Sequence, residues 1–577
     1  MCRTLLASAL VLLSSAALYA QPSLVVRPGS QKILLPPSVS ADDRVRAFAS
    51  SIRPDGTLAS ATDLYLSIQG PVMQVLRQLT HFGDNPSTNP VTGVTSASVA
   101  PHGVLAAYIA QPGLTDPEQL HVIDTTSGAD RIVATDQGGC STLPCVYALH
   151  LSPDERQILY AAGRNQPFSV AQADGSAVRK LPVASGEIAP SWQRVIASNG
   201  TFVFTNTNVY LMNLDGTGLR ALTSFPENAN IITRNATMSA DGLTVAFQST
   251  NAGPGAPNAN SRIYTIRADG TGLTALTDPI SPAGYPTLSG DGSSALYVQD
   301  GAIWKASTDG GSAPDLVQKL AGSALQMPVL AEDGGSFVAA LGPDSGTRGA
   351  IEWFDSNGGL KSVVFAPTVI FPDGVVSAAS GPPVAGSLIS VYGLNFRSDN
   401  FSLLVNDQPV PVLAVTPWQI NARLPFELAN QNVTVRVSYG ANGSPAVPVD
   451  IQALSPALFV SQAYDGTKTY WQAAALHADT HKLADATAPA RAGETLELYG
   501  TGFGPVSPTG STDPTIALPR IEIGGVPATV LFAGMAPGLP GIYQVNVVVP
   551  DGVATGRQPV VIEASATTTI KGDIFVS

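Results

Sequence analysis

A short turn signature returns seven times between residues 40 and 334, and each return is followed by a run of alternating apolar residues. The instances read SADD at 40–43, APHG at 100–103, SPDE at 152–155, ASNG at 197–200, SADG at 239–242, SGDG at 289–292 and AEDG at 331–334. A second turn follows at a similar distance, at Asp124, Asp174-Gly175, Asp215-Gly216, Asp269-Gly270, Asp309-Gly310 and Asp355-Ser356-Asn357-Gly358. Two hairpin turns per repeat imply three or four antiparallel strands. A period of roughly 40 to 60 residues is the spacing of propeller blades. The chain therefore reads as all-β, with a toroidal β-propeller of seven blades, or six if one early repeat is spurious.

Just before the second turn a bulky residue recurs: Tyr65, His121, Phe168, Tyr210, Tyr264, Trp304 and Trp353. Alternation along a strand places such residues on one sheet face, and each blade must bury both faces against its neighbours. Packing between blades is the preferred reading, and an aromatic ladder for sugars is the alternative. Ring closure is expected to recruit Lys32-Ile33-Leu34-Leu35 as an outer strand of the last blade.

The order S-x-D-G, apolar strand ending in a ring, I-Y, then D-G-x-x-x-x-L-T resembles the WD-like repeats of TolB-type propellers over about 300 residues, most closely between 197 and 310. This resemblance implies a propeller over residues 21–366. Prolyl-oligopeptidase-like propeller enzymes add an α/β-hydrolase domain with a G-x-S-x-G nucleophile elbow. That motif is missing from this sequence.

Beyond Phe371-Pro372-Asp373-Gly374 the period stops and a duplication begins. Leu388-Ile389-Ser390-Val391-Tyr392-Gly393 is echoed by Leu496-Glu497-Leu498-Tyr499-Gly500, and Gln419-Ile420-Asn421 by Gln544-Val545-Asn546. Alternating apolar residues between Gly/Pro turns argue for two small Ig-like β-sandwiches, at 367–455 and 456–577. Gly374-Val375-Val376-Ser377-Ala378-Ala379-Ser380, Pro417-Trp418-Gln419-Ile420-Asn421 and Tyr499-Gly500-Thr501-Gly502-Phe503-Gly504-Pro505-Val506 resemble the C-terminal domain of many secreted acidobacterial proteins, which is akin to IPT/TIG-type Ig-like modules. The resemblance implies export and attachment to varied N-terminal domains.

Arg3 precedes an apolar stretch, Leu5 to Leu18, which reads as a secretory signal over residues 1–20 with cleavage after Ala20. Cys140 and Cys145 then remain, and a local disulfide is expected in an oxidising compartment. Two thiolates alone would supply half of a zinc shell. No other segment reaches the roughly 18 uninterrupted apolar residues of a spanning helix. The net charge of −13 and the lack of a Lys/Arg cluster argue against nucleic acid as a partner.

No motif points to a cofactor or metal. Gly500, Gly502 and Gly504 lack the βαβ setting of a phosphate loop. His477 and His481 have i, i+4 spacing without the H-E-x-x-H glutamate, and read as a surface pair. The remaining histidines, His81, His102, His121 and His150, are scattered. The insertion from Asn251 to Ser261, with Asn251, Asn258 and Asn260, is the candidate contact loop, or a tolerated flexible insertion. These features read as an exported, noncatalytic binding or surface protein whose propeller engages a protein or polysaccharide, with envelope association through the C-terminal pair. The alternative is an extracellular hydrolase or lyase at the propeller channel. Convergent Asp, Glu and His on the innermost strands would favour the enzyme, and a lining of Gly, Ser and Thr would favour binding.

Overall fold

Each S-x-D-G turn closes through one hydrogen-bond pattern that explains why the sequence repeats it. The serine hydroxyl donates to the aspartate two residues on, and accepts from the backbone amide five residues on. The four full instances give Ser40–Asp42 at 2.7 Å with Val45 N at 3.0 Å, Ser152–Asp154 at 2.5 Å with Gln157 N at 2.9 Å, Ser239–Asp241 at 2.5 Å with Thr244 N at 3.0 Å, and Ser289–Asp291 at 2.7 Å with Ser294 N at 3.1 Å. The fourth residue is left-handed in every repeat, which favours glycine (Gly242 at φ 76°); Asp43 and Glu155 hold the same conformation at 57° and 61°. The turn joins the innermost strand of a blade to its second strand.

The computed structural model describes residues 34–577 apart from 71–73, 85–92, 114–115, 136–145, 163–166, 184–185, 227–230, 251–259, 279, 321–322, 344–347, 441, 466, 508–514, 516 and 565–566. The signal segment, Cys140, Cys145, Asn251 and Asn258 lie outside the described residues. Gln31–Pro367 and the chain from Thr368 to Ser577 form separate compact units. The protein is almost entirely β-structure, and no helix among the described residues is long and apolar enough to cross a membrane.

The first unit is a seven-bladed propeller. The second and third strands of the blades, in order, are Val45–Ile52 and Leu58–Gln69, Leu105–Gln111 and Gln119–Asp124, Gln157–Ala162 and Phe168–Gln172, Thr201–Thr205 and Val209–Asn213, Thr244–Ser249 and Arg262–Arg267, Ser294–Gln299 and Ala302–Ser307, and Ser336–Gly342 and Ala350–Asp355. Six blades have four strands in simple up-and-down order, whereas the fourth pairs only three regular strands. Leu34 bridges Ser50, and Leu35 N donates to Ala49 O at 2.8 Å. The segment expected as an outer strand of the last blade is thus the innermost strand of the first, and Lys32 and Ile33 lie outside the described residues. Among the described residues every blade is built from contiguous chain.

Four of the seven recurring bulky residues stack on a ring of their own blade, and two others are displaced in register. Phe48 stacks on Tyr65 (5.7 Å between centroids), Tyr108 on His121 (4.6 Å), Phe204 on Tyr210 (5.2 Å) and Phe247 on Tyr264 (5.6 Å), in each case as directly opposed residues of the second and third strands. Trp304 opposes Tyr297 in the same way. Phe168 and Trp353 are displaced by one residue, because Ser169 and Glu352 occupy the equivalent position three residues before the turn. A one-residue shift moves a side chain to the other face. Trp353 accordingly lies between two cations, with Arg46 Cζ 4.4 Å and Lys361 Nζ 3.7 Å from its ring centroid.

Outer strands are fastened to the next blade by arginine. Arg77 donates to Thr126 O at 2.7 Å, Arg131 to Ala173 O at 2.9 Å, Arg179 to Asp215 O at 3.0 Å, and Arg220 to Ala268 O. Each acceptor is a backbone carbonyl at or beside the second turn of the following blade.

In the second unit, two β-domains repeat one scheme. Val433, Val435 and Val437 alternate inward from the strand Gln431–Tyr439 toward Ile389, Val391 and Ile420. The second domain centres on Leu496, Leu498, Val545, Val547 and Ile562. The shared Tyr-Gly marks a close strand approach, since a Cβ on Gly393 would stand 2.0 Å from Val369 O and one on Gly500 2.2 Å from Ala457 O. The shared Gln-x-Asn is an amide pair on one strand face, with Gln419 Nε2 donating to Asn421 Oδ1 and Gln544 Nε2 to Asn546 Oδ1, both at 2.8 Å. Leu388, Phe459, Ala536 and Ile542 are buried together between the domains, and Gly502 N donates to Ser387 Oγ at 2.9 Å.

Candidate functional site in the plugged propeller channel

The fourth blade departs from the repeat where an innermost strand would run. Pro190 to Gln193 form a turn instead, closed by Gln193 N donating to Pro190 O at 2.9 Å. Proline at the first position and an extended Ile188-Ala189 lead suit a turn better than a ladder strand. Its side chains and backbone reach five other blades. Ser191 Oγ contacts Ser96 Oγ in the second blade and accepts from Leu149 N at 3.0 Å in the third. Arg194 O accepts from Met238 N at 2.9 Å and Thr237 Oγ1 at 2.8 Å in the fifth. Gln193 Nε2 donates to Pro286 O at 2.5 Å in the sixth, and Arg194 Nη2 lies 3.3 Å from Glu332 Oε2 in the seventh. A segment of five residues that touches the inner strands of four blades and the first turn of a fifth lies across the axis of the ring. It plugs the channel.

On the side of the S-x-D-G turns the plug floors a cavity of about 440 Å³. All seven blades contribute to its wall, through residues that include Ser38, Ser98, Pro153, Ser198, Ala240, Thr287 and Glu332. The rim is tied from blade to blade by backbone bonds: Ala41 N to Pro101 O and Ser198 N to Ala240 O at 2.9 Å, Ala240 N to Gly290 O at 2.9 Å, and Gly290 N to Glu332 O at 2.7 Å.

The titratable groups of the lining are already engaged. His150 is fully enclosed, and burial drives its pKa down to about 4 although its Nε2 is bonded to Ala189 O at 2.8 Å. It is a neutral donor at physiological pH. Burial lowers the Arg194 pKa, and Glu332 opposes that shift. Burial alone would raise the Asp154 pKa, but the bonds from Ser152 and Arg156 N outweigh it and hold it below the usual carboxylate value. His102 faces Glu155 at 3.1 Å. Among the described residues no group of three His, Cys, Asp or Glu side chains is placed to hold a metal ion. The wall is dominated by hydroxyl, amide and apolar groups.

Three buried polar atoms on consecutive plug residues, Trp192 Nε1, Gln193 Oε1 and Arg194 Nη1, have no hydrogen-bond partner among the described residues. The sequence carried no sign of them, because Ser191-Trp192-Gln193-Arg194 interrupts the repeat instead of following it. Of the proposed contact loop only Asn260 is described with Ser261, and its Nδ2 donates to Ile280 O at 2.8 Å. Asn260 is not part of the channel lining.

The histidine pair of the second unit is not helical and not simply exposed. His477 ends a strand, is 8% exposed and contacts Glu494 through Nδ1 and Ala488 O through Nε2. His481 follows in a left-handed turn, with Nδ1 3.2 Å from Glu497. Each imidazole is taken by its own carboxylate.

The model of the IPT/TIG domain matches residues 373–452. These residues form an IPT/TIG domain. No curated protein matches the chain. Among solved structures, TolB from Acinetobacter baumannii is 16% identical over 56% of this chain and 63% of its own, with a TM-score of 0.33. Oligogalacturonate lyase from Vibrio parahaemolyticus is 14% identical over 54% of this chain and 87% of its own, at 0.38. The propeller domain of the Trilobed protease from Pyrococcus furiosus, described as having an open velcro topology, is 12% identical over 57% of this chain and 94% of its own, at 0.38. The match therefore spans less than two thirds of the TolB chain. Fold and family model together give a β-propeller followed by a unit that contains an IPT/TIG domain.

Proposed function

We propose that this is an exported, noncatalytic recognition protein whose propeller receives a polar end group of its partner in the plugged channel, while the paired Ig-like domains display or attach it. The observation that carries this reading is the plug. It leaves a blind cavity walled mainly by hydroxyl, amide and apolar groups, in which each lining histidine and carboxylate already has a partner other than a lining hydroxyl. Such a site orients a ligand through hydrogen bonds and shape. General acid–base work would need a titratable group left available to the substrate.

The full chain, incubated with immobilised polysaccharides and with insoluble cell envelope, is expected to be retained without releasing products. The Ala240→Phe variant, which narrows the mouth without touching the plug, is expected to lose retention that depends on the propeller. Accumulation of cleaved or unsaturated products would reject the noncatalytic reading. Unchanged retention of Ala240→Phe would move recognition away from the channel.

A further inference from the structure

We propose that the turn-face cavity binds one neutral, hydroxyl-bearing sugar unit, recognised by the plug residues Trp192, Gln193 and Arg194. This rests on the recognition function above and adds the chemical class of the ligand.

The first ground is the chemistry of the unpaired atoms. Trp192 Nε1 and Arg194 Nη1 can only donate, whereas Gln193 Oε1 can only accept. All three residues line the cavity, and Gln193 is 3% exposed. Native structures pair nearly all buried polar atoms, so three unpaired ones in consecutive residues call for an occupant. A ligand that satisfies them must both accept and donate. A sugar hydroxyl does both, whereas a carboxylate or phosphate only accepts and an ammonium only donates.

The second ground is charge. The third position of the turns around the mouth carries Asp42, Asp154, Asp241, Asp291 and Asp333, and Glu332 stands in the wall. Among the described residues Arg194 is the single arginine or lysine of the lining, and Glu332 already neutralises it. A rim of one sign repels ligands of that sign. Anions are thereby disfavoured, and a neutral polyol is not.

The third ground is size. About 440 Å³ falls within the range of roughly 300–1,000 Å³ typical of small-molecule sites. The three atoms are closed off from solvent, so the side chains that carry them must turn for them to meet a ligand. That movement makes binding observable.

The test is a fluorescence titration of the full chain, exciting tryptophan, with the neutral methyl glycosides of glucose, galactose, mannose and xylose, and with D-glucuronate and inorganic phosphate as charged probes. At least one neutral glycoside is expected to give a saturable change. Trp192→Phe, which keeps a ring but removes the N–H, is expected to abolish the change and weaken binding about tenfold by calorimetry. Ala240→Phe, with the plug intact, is expected to block it as well, which covers the case in which Trp192→Phe fails to fold. The proposal is overturned if no neutral glycoside gives a saturable response, if the response survives in both variants, or if glucuronate or phosphate binds more tightly than every neutral probe. Retention on polysaccharide or envelope without any glycoside response would overturn the sugar assignment alone. Loss of all retention would overturn the recognition function with it.

Discussion

The guanidinium of Arg46 in the first blade lies 4.4 Å over the ring of Trp353 in the seventh. Arg46 is completely buried, is bonded twice to the Asp43 carboxylate and once to its carbonyl, and Asp43 in turn accepts from Ser336 of the seventh blade. Phe365 packs on Phe48 and Tyr65 across the same seam, and Gln74 Nε2 donates to Val364 O at 2.8 Å. Among the described residues no strand is shared across this seam, and side chains close the ring.

Removing one partner of a buried ion pair strands the other. Arg46→Ala is therefore expected to destabilise the propeller by about 3–5 kcal/mol. Urea unfolding monitored by tryptophan emission measures this. Hydrogen exchange should show the loosening first in the strands of the first and seventh blades, and a uniform change across all blades would contradict the seam's role.

The interblade arginines predict smaller, additive losses. Arg131→Ala and Arg220→Ala each remove a charged donor from a backbone carbonyl, at an expected cost of about 1 kcal/mol. The two sites fasten different pairs of blades, so the double variant is expected to lose the sum within about 0.5 kcal/mol. Denaturation midpoints of the four chains decide it.

His150 makes the propeller sensitive to mild acid. Its folded pKa of about 4 lies below the ordinary imidazole value of 6.5, so the unfolded chain binds the proton more readily. Its contribution is complete above pH 6.5 and is lost as pH falls toward 4, by about 3 kcal/mol in all. The difference in stability between the native chain and His150→Gln should shrink across that window. A difference independent of pH would mean that His150 is accessible to protons in the folded state.

His477 acts with the opposite sign. Burial alone would lower its pKa, but the Glu494 carboxylate and Ala488 carbonyl outweigh burial and raise it. Its stabilising contribution is present below the unfolded pKa and disappears as pH rises through the folded value. Thermal melts of the Ig-like unit within the full chain should fall across neutral pH, and His477→Gln should remove that component.

The duplicated Tyr-Gly carries a steric prediction. Gly393→Ala and Gly500→Ala each drive a methyl into a carbonyl of the neighbouring strand, at 2.0 and 2.2 Å. Both substitutions are expected to cost about 2 kcal/mol or more, because backbone cannot step aside as a flexible side chain can. Circular dichroism melts of the full chain check this.

The parts of the fold legible in the sequence are those fixed by local chemistry. Ser239-Ala240-Asp241-Gly242 specifies its own turn through bonds within five residues, so repetition reveals the blades directly. Gly393 and Gly500 likewise answer to one adjacent strand. The position of Leu34–Leu35 was misjudged because inner and outer strands share the same apolar alternation, and only pairing with Ala49 and Ser50 separates them. Trp353 looked like another ring of the series, yet a one-residue difference in the turn after it places Glu352 at the common register. The plug was illegible for a different reason: its bonds run to residues such as Ser96, Pro286 and Glu332, far away in sequence.

Because each blade is drawn from one uninterrupted stretch, the propeller is modular at the level of its gene. A segment beginning before an innermost strand and ending after the outer one carries a whole sheet, and a cut at a link between blades severs no hydrogen-bonded ladder. Such a ring can lengthen, shorten or be circularly permuted by whole blades. What must then be rebuilt is a handful of contacts of the kind Arg46 and Trp353 provide, which is a far smaller demand on mutation than exchanging a strand.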